Sequence, residues 1–111
     1  MSHPSKAKGD RAELEAAALL YVLLGVPAKR ALGAGRKEDT GDIFGVPDTC
    51  IQVANYKNIA TALNEKLAEC PQQQANAGAT FGASMIRRPG GRWFFALTAE
   101  QFATLWREAT S

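Results

Sequence analysis

Gly41-Asp42-Ile43-Phe44-Gly45-Val46-Pro47-Asp48-Thr49-Cys50-Ile51-Gln52-Val53-Ala54-Asn55 is the stretch whose reading decides the fold. Its second half, Thr49 to Asn55, carries the strongest strand signal in the chain: threonine, isoleucine and valine in period-two alternation. On an extended backbone successive side chains face opposite ways. Ile51 and Val53 therefore share one face, and Cys50, Gln52 and Ala54 the other. Asp42 to Val46 reads as a shorter strand, with Pro47-Asp48 as the turn between the two. The hairpin so formed sets Asp42 near Gln52 on the opposing strand.

Upstream, Lys6 to Leu24 is built mostly from alanine, leucine, glutamate and lysine, all strong helix formers, and Gly25 and Pro27 stop it. Leu19, Leu20, Val22, Leu23 and Leu24 define one broad apolar face of that helix. Ala28 to Leu32 reads as a short strand closed by Gly33-Ala34-Gly35, and Arg36 to Gly41 as a loop. Downstream, Ile59 to Glu69 is helical with Ala60, Leu63 and Leu67 on one face. Pro71 kinks or restarts the helix before Gln72 to Asn76, and Gly78 ends it. Thr80 to Arg87 and Arg92 to Leu97 are strands around the Pro89-Gly90-Gly91 turn. Thr98 and Gln101 match a capping box for a last helix to about Ala109, with Phe102, Leu105 and Trp106 expected to face inward. The order is helix, three strands, helix, two strands, helix (αβββαββα). It predicts an α/β fold with a central mixed sheet flanked by helices, an order that many unrelated proteins share.

At 111 residues the chain suits one domain: residues 8–109, after a flexible tail of residues 1–7. A hydrophobic content of 46% argues against intrinsic disorder. No apolar run approaches the roughly 18 residues of a membrane span, and the polar, basic start has no apolar segment of the secretory kind. A cytoplasmic protein with no membrane association is expected. Two cysteines, Cys50 and Cys70, with one histidine in the tail do not supply a zinc site, and both read as ordinary thiols. The net charge of +2 does not announce nucleic-acid binding. Its distribution is more suggestive: Lys6, Lys8 and Arg11 lie by the first helix, Lys29, Arg30, Arg36 and Lys37 follow it, and Arg87, Arg88 and Arg92 flank a turn. Basic groups gathered on one surface release counterions from phosphates.

Metal-dependent phosphodiester cleavage needs hard oxygen ligands, a group that orients water, and positive charge near the developing phosphorane. Asp42, the Gln52 side chain and the Val53 carbonyl are the candidate ligands. Asp42 is equally an ordinary turn residue, and Gln52 an ordinary polar residue alternating with core. Glu13 and Glu15 flank the apolar face of the first helix on opposite sides, so periodicity does not choose between them, and both read equally as surface glutamates.

Beyond these residues lies a family likeness. Lys8-Gly9-Asp10-Arg11-Ala12-Glu13 resembles the opening helix of archaeal and phage Holliday-junction resolvases, where a glutamate follows a glycine by four residues. Gly41-Asp42-Ile43 is similar to the family's second motif, and Pro47-Asp48-Thr49-Cys50-Ile51-Gln52-Val53-Ala54-Asn55 to its third. Gln73-Gln74-Ala75-Asn76-Ala77-Gly78-Ala79 looks like the end of its following helix, and the Trp93-Phe94-Phe95-Ala96-Leu97-Thr98 strand also fits. Each motif is loose; their order and spacing, from Lys8 to about Trp106, carry the weight. The resemblance is to the PD-(D/E)XK nuclease superfamily. It implies a restriction-endonuclease-like core and a structure-specific endonuclease acting on branched or double-stranded DNA in a bacterial or phage-infected cell. It implies Mg²⁺ or Mn²⁺ held by Glu13, Asp42, Gln52 and Val53, with Glu13 preferred over Glu15. DNA contacts fall to Lys8, Arg36, Lys37, Asn55, Arg87 and Arg88, with Asn58, Gln72 and Gln73 as supporting polar groups. Two symmetric cuts across a junction imply a two-fold homodimer.

The departure is Ala54, which stands where the family places its catalytic lysine. Three accounts are open from the sequence. Ala54 is an inactivating substitution; or Lys57 supplies the missing charge; or the chain is a natural non-cutting DNA binder. The expectation for a chain lacking the lysine is a folded protein with almost no cleavage.

Overall fold

The computed structural model describes residues 4–31, 41–55 and 58–111, of which 4–9 are described as helix backbone only. In chain order the elements are α1 (Pro4–Leu24), β1 (Lys29–Arg30), β2 (Ile43–Phe44), β3 (Thr49–Ala54), α2 (Ile59–Ala77), β4 (Phe81–Arg88), β5 (Arg92–Ala96) and α3 (Ala99–Thr110). The five strands form one sheet in the order β1-β2-β3-β4-β5. Only the β3–β4 pair is parallel; β1–β2, β2–β3 and β4–β5 are antiparallel. The α/β organisation and mixed sheet expected from the element order are present. A parallel pair needs a long crossover, which α2 supplies.

The alternation read along β3 holds. Ile51 and Val53 enter a core with Ala12, Ala16, Ala17 and Leu20 of α1, Ile43, and Ala83 and Met85 of β4. On the opposite face Ala54 packs with Ala62 of α2 and Ile86 of β4. Helix α1 thus covers one face of the sheet and α2 the other, and β3 is buried on both sides, as parallel-paired central strands are.

Three expectations about helix faces are corrected. In α1 the buried stripe is Ala12, Ala16, Ala17 and Leu20, while Val22, Leu23 and Leu24 are exposed. Alanines four residues apart let the helix axis approach the sheet, and the larger side chains project beyond it, just before Gly25 ends the helix. In α2 the fully buried residues are Ala62, Cys70 and Gln73; of the expected face, Leu63 packs half-buried against Ala54, Ala62 and Ile86, Leu67 is half-buried and Ala60 is exposed. The helix also runs unbroken through Pro71, which costs one backbone donor without ending it. In α3 the Thr98–Gln101 capping box forms on both sides, yet Phe102, Leu105 and Trp106 are exposed and Gln101 is the buried residue. The reason is local. Gly82 of β4 has no side chain, and the Gln74 Oε1 and Gln101 Nε2 atoms fill the space a Cβ would occupy, 2.2 and 2.7 Å from its ideal position. Helix α3 is docked by this amide pair, hydrogen-bonded at 3.1 Å, and its apolar stripe is left outward.

The turn before β3 is held from the far side of the crossover. Asp48 takes a left-handed backbone conformation (φ 56°); its carboxylate accepts the Thr80 N–H at 2.8 Å and its carbonyl accepts the Phe81 N–H at 3.0 Å. The start of β4 is thereby fastened to the start of β3. Among the described residues no helix is long and apolar enough to cross a membrane.

Met85 is fully buried between α1 and the sheet. Met85→Ala is expected to lower the unfolding free energy by about 2–5 kcal/mol, whereas Leu105→Ala on the exposed face of α3 changes it by no more than about 0.5 kcal/mol. Urea unfolding of the two variants at low protein concentration checks the contrast.

Candidate functional site

The pairing of Ile43 with Ile51 places Asp42 beside the middle of β3. Its N–H donates to the Ile51 carbonyl at 2.8 Å. Just before it, Gly41 has φ 100°, and a Cβ there would sit 3.0 Å from both Cys50 Sγ and the Ile51 carbonyl oxygen, so a side chain is excluded. Beyond β2 the Asp42 carboxylate meets the strand: Oδ2 accepts the Val53 N–H at 2.8 Å. Because the N–H and C=O of one strand residue point to the same side, the Val53 carbonyl faces this edge too, beyond the last β2 partner.

Glu13 reaches the same region from α1. Arg30 of β1 donates from Nε to Glu13 at 3.2 Å and from Nη2 to Asp10 at 2.7 Å. Burial, and then the negative charge of Asp42, push the Glu13 carboxyl above the usual carboxylate range, against the pull of Arg30. Asp42 and Glu13 thus feel one another across the α1–sheet junction. Glu15, which periodicity left level with Glu13, goes elsewhere. It accepts from the Trp93 indole at 2.8 Å and from Arg87 Nε at 3.1 and 3.2 Å, at the β4–β5 hairpin.

Gln52 takes a different partner. It is 1% exposed, lies under α2, and its Oε1 is 3.5 Å from the Lys66 ammonium. Its Nε2 has no hydrogen-bond partner among the described residues. Ala54, two residues on, is sealed between Ala62 and Ile86. Asn55 is half-buried at the end of β3. Of the basic candidates, Arg87 is tied to Glu15, and Arg88 lies 5.9 Å over the Phe94 ring. Arg36, Lys37 and Lys57 and the side chain of Lys8 lie outside the described residues. Asn58 caps α2, accepting from the Ala60 and Thr61 N–H groups, and Gln72 bonds Asn76 within the same helix; both are occupied structurally.

The edge therefore gathers hard oxygen donors: the Asp42 carboxylate, the Val53 carbonyl and Glu13 nearby. That the Asp42 charge adds to the raised proton affinity of Glu13 fits a site that favours a cation. Among the described residues no three acidic, cysteine or histidine side chains converge closely enough to hold a metal ion unaided. An ion at this edge would draw on backbone or amide oxygen as well. Arg30, read from the sequence as part of a basic surface, is instead the countercharge of Asp10 and Glu13, which lie 20 and 17 residues away. The contact of Lys66 with Gln52 was equally beyond sequence reading, since no local pattern links them. Compared with known proteins, the chain matches no family model, no curated protein and no solved structure.

The Trp93 indole, with Arg87 after it, holds the Glu15 carboxyl below the usual range. A lowered carboxyl contributes stability above its unfolded pKa that is lost as pH falls through the folded one. Glu15→Gln is therefore expected to melt below the parent chain at pH 7, with the gap closing as pH drops below the ordinary carboxylate range; melts followed by circular dichroism across pH test this.

Proposed function

We propose that this chain is a metal-dependent, structure-specific DNA endonuclease core of the PD-(D/E)XK kind, built to resolve branched DNA in a host cytoplasm and disabled at position 54. The observation that carries the reading is Asp42, held by the Val53 N–H at the end of β2 with Glu13 beside it. The αβββαββα order and the family-like motifs support it.

In this reading Asp42, the Val53 carbonyl and Glu13 would hold Mg²⁺ or Mn²⁺, with Gln52 joining if its amide oxygen leaves Lys66. When bound, such an ion acidifies a water and polarises the scissile phosphate. The Val53 N–H would hold the Asp42 carboxylate in place at this edge. Arg30 keeps Glu13 oriented and partly neutralised. A lysine at 54 would orient the attacking water and meet the developing charge, a contribution of about 10²–10⁴ in rate. Two symmetric cuts need two copies, and the outward Phe102, Leu105 and Trp106 of α3 are the apolar surface proposed to join them.

A second reading, a non-catalytic DNA-binding module on the same core, is favoured by one observation. Ala54 is enclosed by Ala62 and Ile86, so the space a lysine stem would need is already filled.

Cleavage of a labelled four-way junction, with Mg²⁺ and with Mn²⁺, separates the two, using this chain and its Ala54→Lys variant with thermal melts to confirm folding. Paired symmetric cuts by the variant, at least about a hundredfold faster than by the parent, are the expected result. Cuts by the parent itself would place the working cation elsewhere, with Lys57 the first to replace. If neither folded protein cuts junctions, flaps or linear duplex, the nuclease reading fails; a retained gel shift on the junction would then establish the binding module.

A further inference from the structure

The two cysteines, 20 positions apart in sequence, meet in the fold. Cys50 is on the face of β3 that looks toward α2, and its register partner on β4 is Gly82. Helix α2 brings Cys70 down on the same face, beside the next β4 residue, Ala83. Cys70 is 0% and Cys50 1% exposed. The Cys70 sulfur lies 3.7 Å from the Ala83 carbonyl oxygen, accepts from the Gln101 amide at 3.4 Å, and is in hydrogen-bond contact with the Cys50 thiol. Both cysteines are free, and they belong to different elements joined through the crossover.

We propose that Cys50 and Cys70 form a dithiol that a hydroperoxide converts into an intramolecular disulfide, fastening α2 to β3 two residues before Gln52. The Cys70 sulfur attacks a peroxide oxygen; the S–O bond forms, the O–O bond breaks, and the leaving oxygen departs with the thiol proton as water, or as an alcohol from an organic hydroperoxide. The Cys50 sulfur then attacks the Cys70 sulfur; the S–S bond forms, the S–O bond breaks, and the hydroxyl leaves as water with the Cys50 proton. Two thiols lose two electrons, and one peroxide gains them. A small peroxide suits a buried pair better than a bulky disulfide reagent does, and the neighbouring thiol favours disulfide formation over further oxidation of Cys70. The Cys50 hydrogen bond, helped by Gln101 and Ser84, draws the Cys70 thiol down to about 6 despite its burial, which favours the attacking thiolate. The proposal does not depend on the nuclease reading.

The full-length chain is treated with hydrogen peroxide under native conditions and followed by intact mass, non-reducing electrophoresis and peptide mapping. The expected product is a monomer lighter by two hydrogen atoms, with Cys50 and Cys70 peptides joined and a reducing dithiol restoring the starting mass. In Cys50→Ala, Cys70 should stop at the sulfenic acid, captured when the sample is unfolded in dimedone after the peroxide is removed; in Cys70→Ala no cross-link should form. Circular dichroism of both variants confirms that they fold. Oxygen gain without a cross-link, cross-links only between chains, or no reaction until denaturant is added would each overturn the proposal.

Discussion

Strand β3 is buried on both faces, so each of its backbone polar groups must find a partner away from water. On one side β4 provides a continuous parallel register from Thr49–Phe81 to Ala54–Ile86. On the other, β2 is two residues long and stops. The Asp42 carboxylate completes the ladder where the backbone leaves it, and an unpartnered Val53 N–H in that position would cost roughly 1–3 kcal/mol. The same contact that satisfies the strand gives the candidate site its fixed carboxylate. A structural demand and a chemical opportunity coincide in one hydrogen bond.

Charge is arranged around this edge in closed groups. Arg30 joins β1 to Asp10 and Glu13 of α1, and Arg87 and Trp93 join the β4–β5 hairpin to Glu15 of the same helix. One helix thus presents three acidic residues, Asp10, Glu13 and Glu15, to two separate basic partners at different parts of the sheet. The surface these arginines could offer to phosphates is reduced accordingly, because their guanidinium groups already serve internal carboxylates. Under α2 a further polar layer runs through Lys66, Gln52, Ser84 and Cys70, so this half of the core depends on matched polar contacts as much as on apolar packing.

The order of elements, the alternation of β3 and the capping box of α3 were legible because each follows from local pattern: period two, turn residues and a Thr-x-x-Gln spacing; that Gln52 is buried as deeply as its neighbours was not. The faces of the helices were not. Leu63 and Leu67 outrank Ala62 and Cys70 in hydrophobicity, yet the smaller side chains are the fully buried ones and the leucines sit half-buried at the margin of the contact. Likewise Phe102, Leu105 and Trp106 look like a core stripe until Gln74 and Gln101 are seen to dock α3 by their amides. The proximity of Glu13 to Asp42 could be anticipated only through the family-like glycine spacing, since the two sit on opposite sides of a 29-residue separation that no periodicity spans. The meeting of Cys50 with Cys70 depends on how α2 crosses β3 and β4, which no reading of either cysteine's neighbourhood supplies.

The two margins of the sheet are unequal. One ends in β1, two residues long and tied down by an ion-paired arginine. The other ends in β5, which carries Trp93, Phe94 and Phe95 and whose outer row of backbone groups faces no further strand in the sheet order. An open aromatic edge of this kind is a template for unwanted strand addition between molecules. At the hairpin end Arg88 and Arg92 stand opposite each other in the register, which sets two positive charges at one end of that margin. Charge at the end of an open edge is one of the means by which sheet margins are kept from pairing with their neighbours.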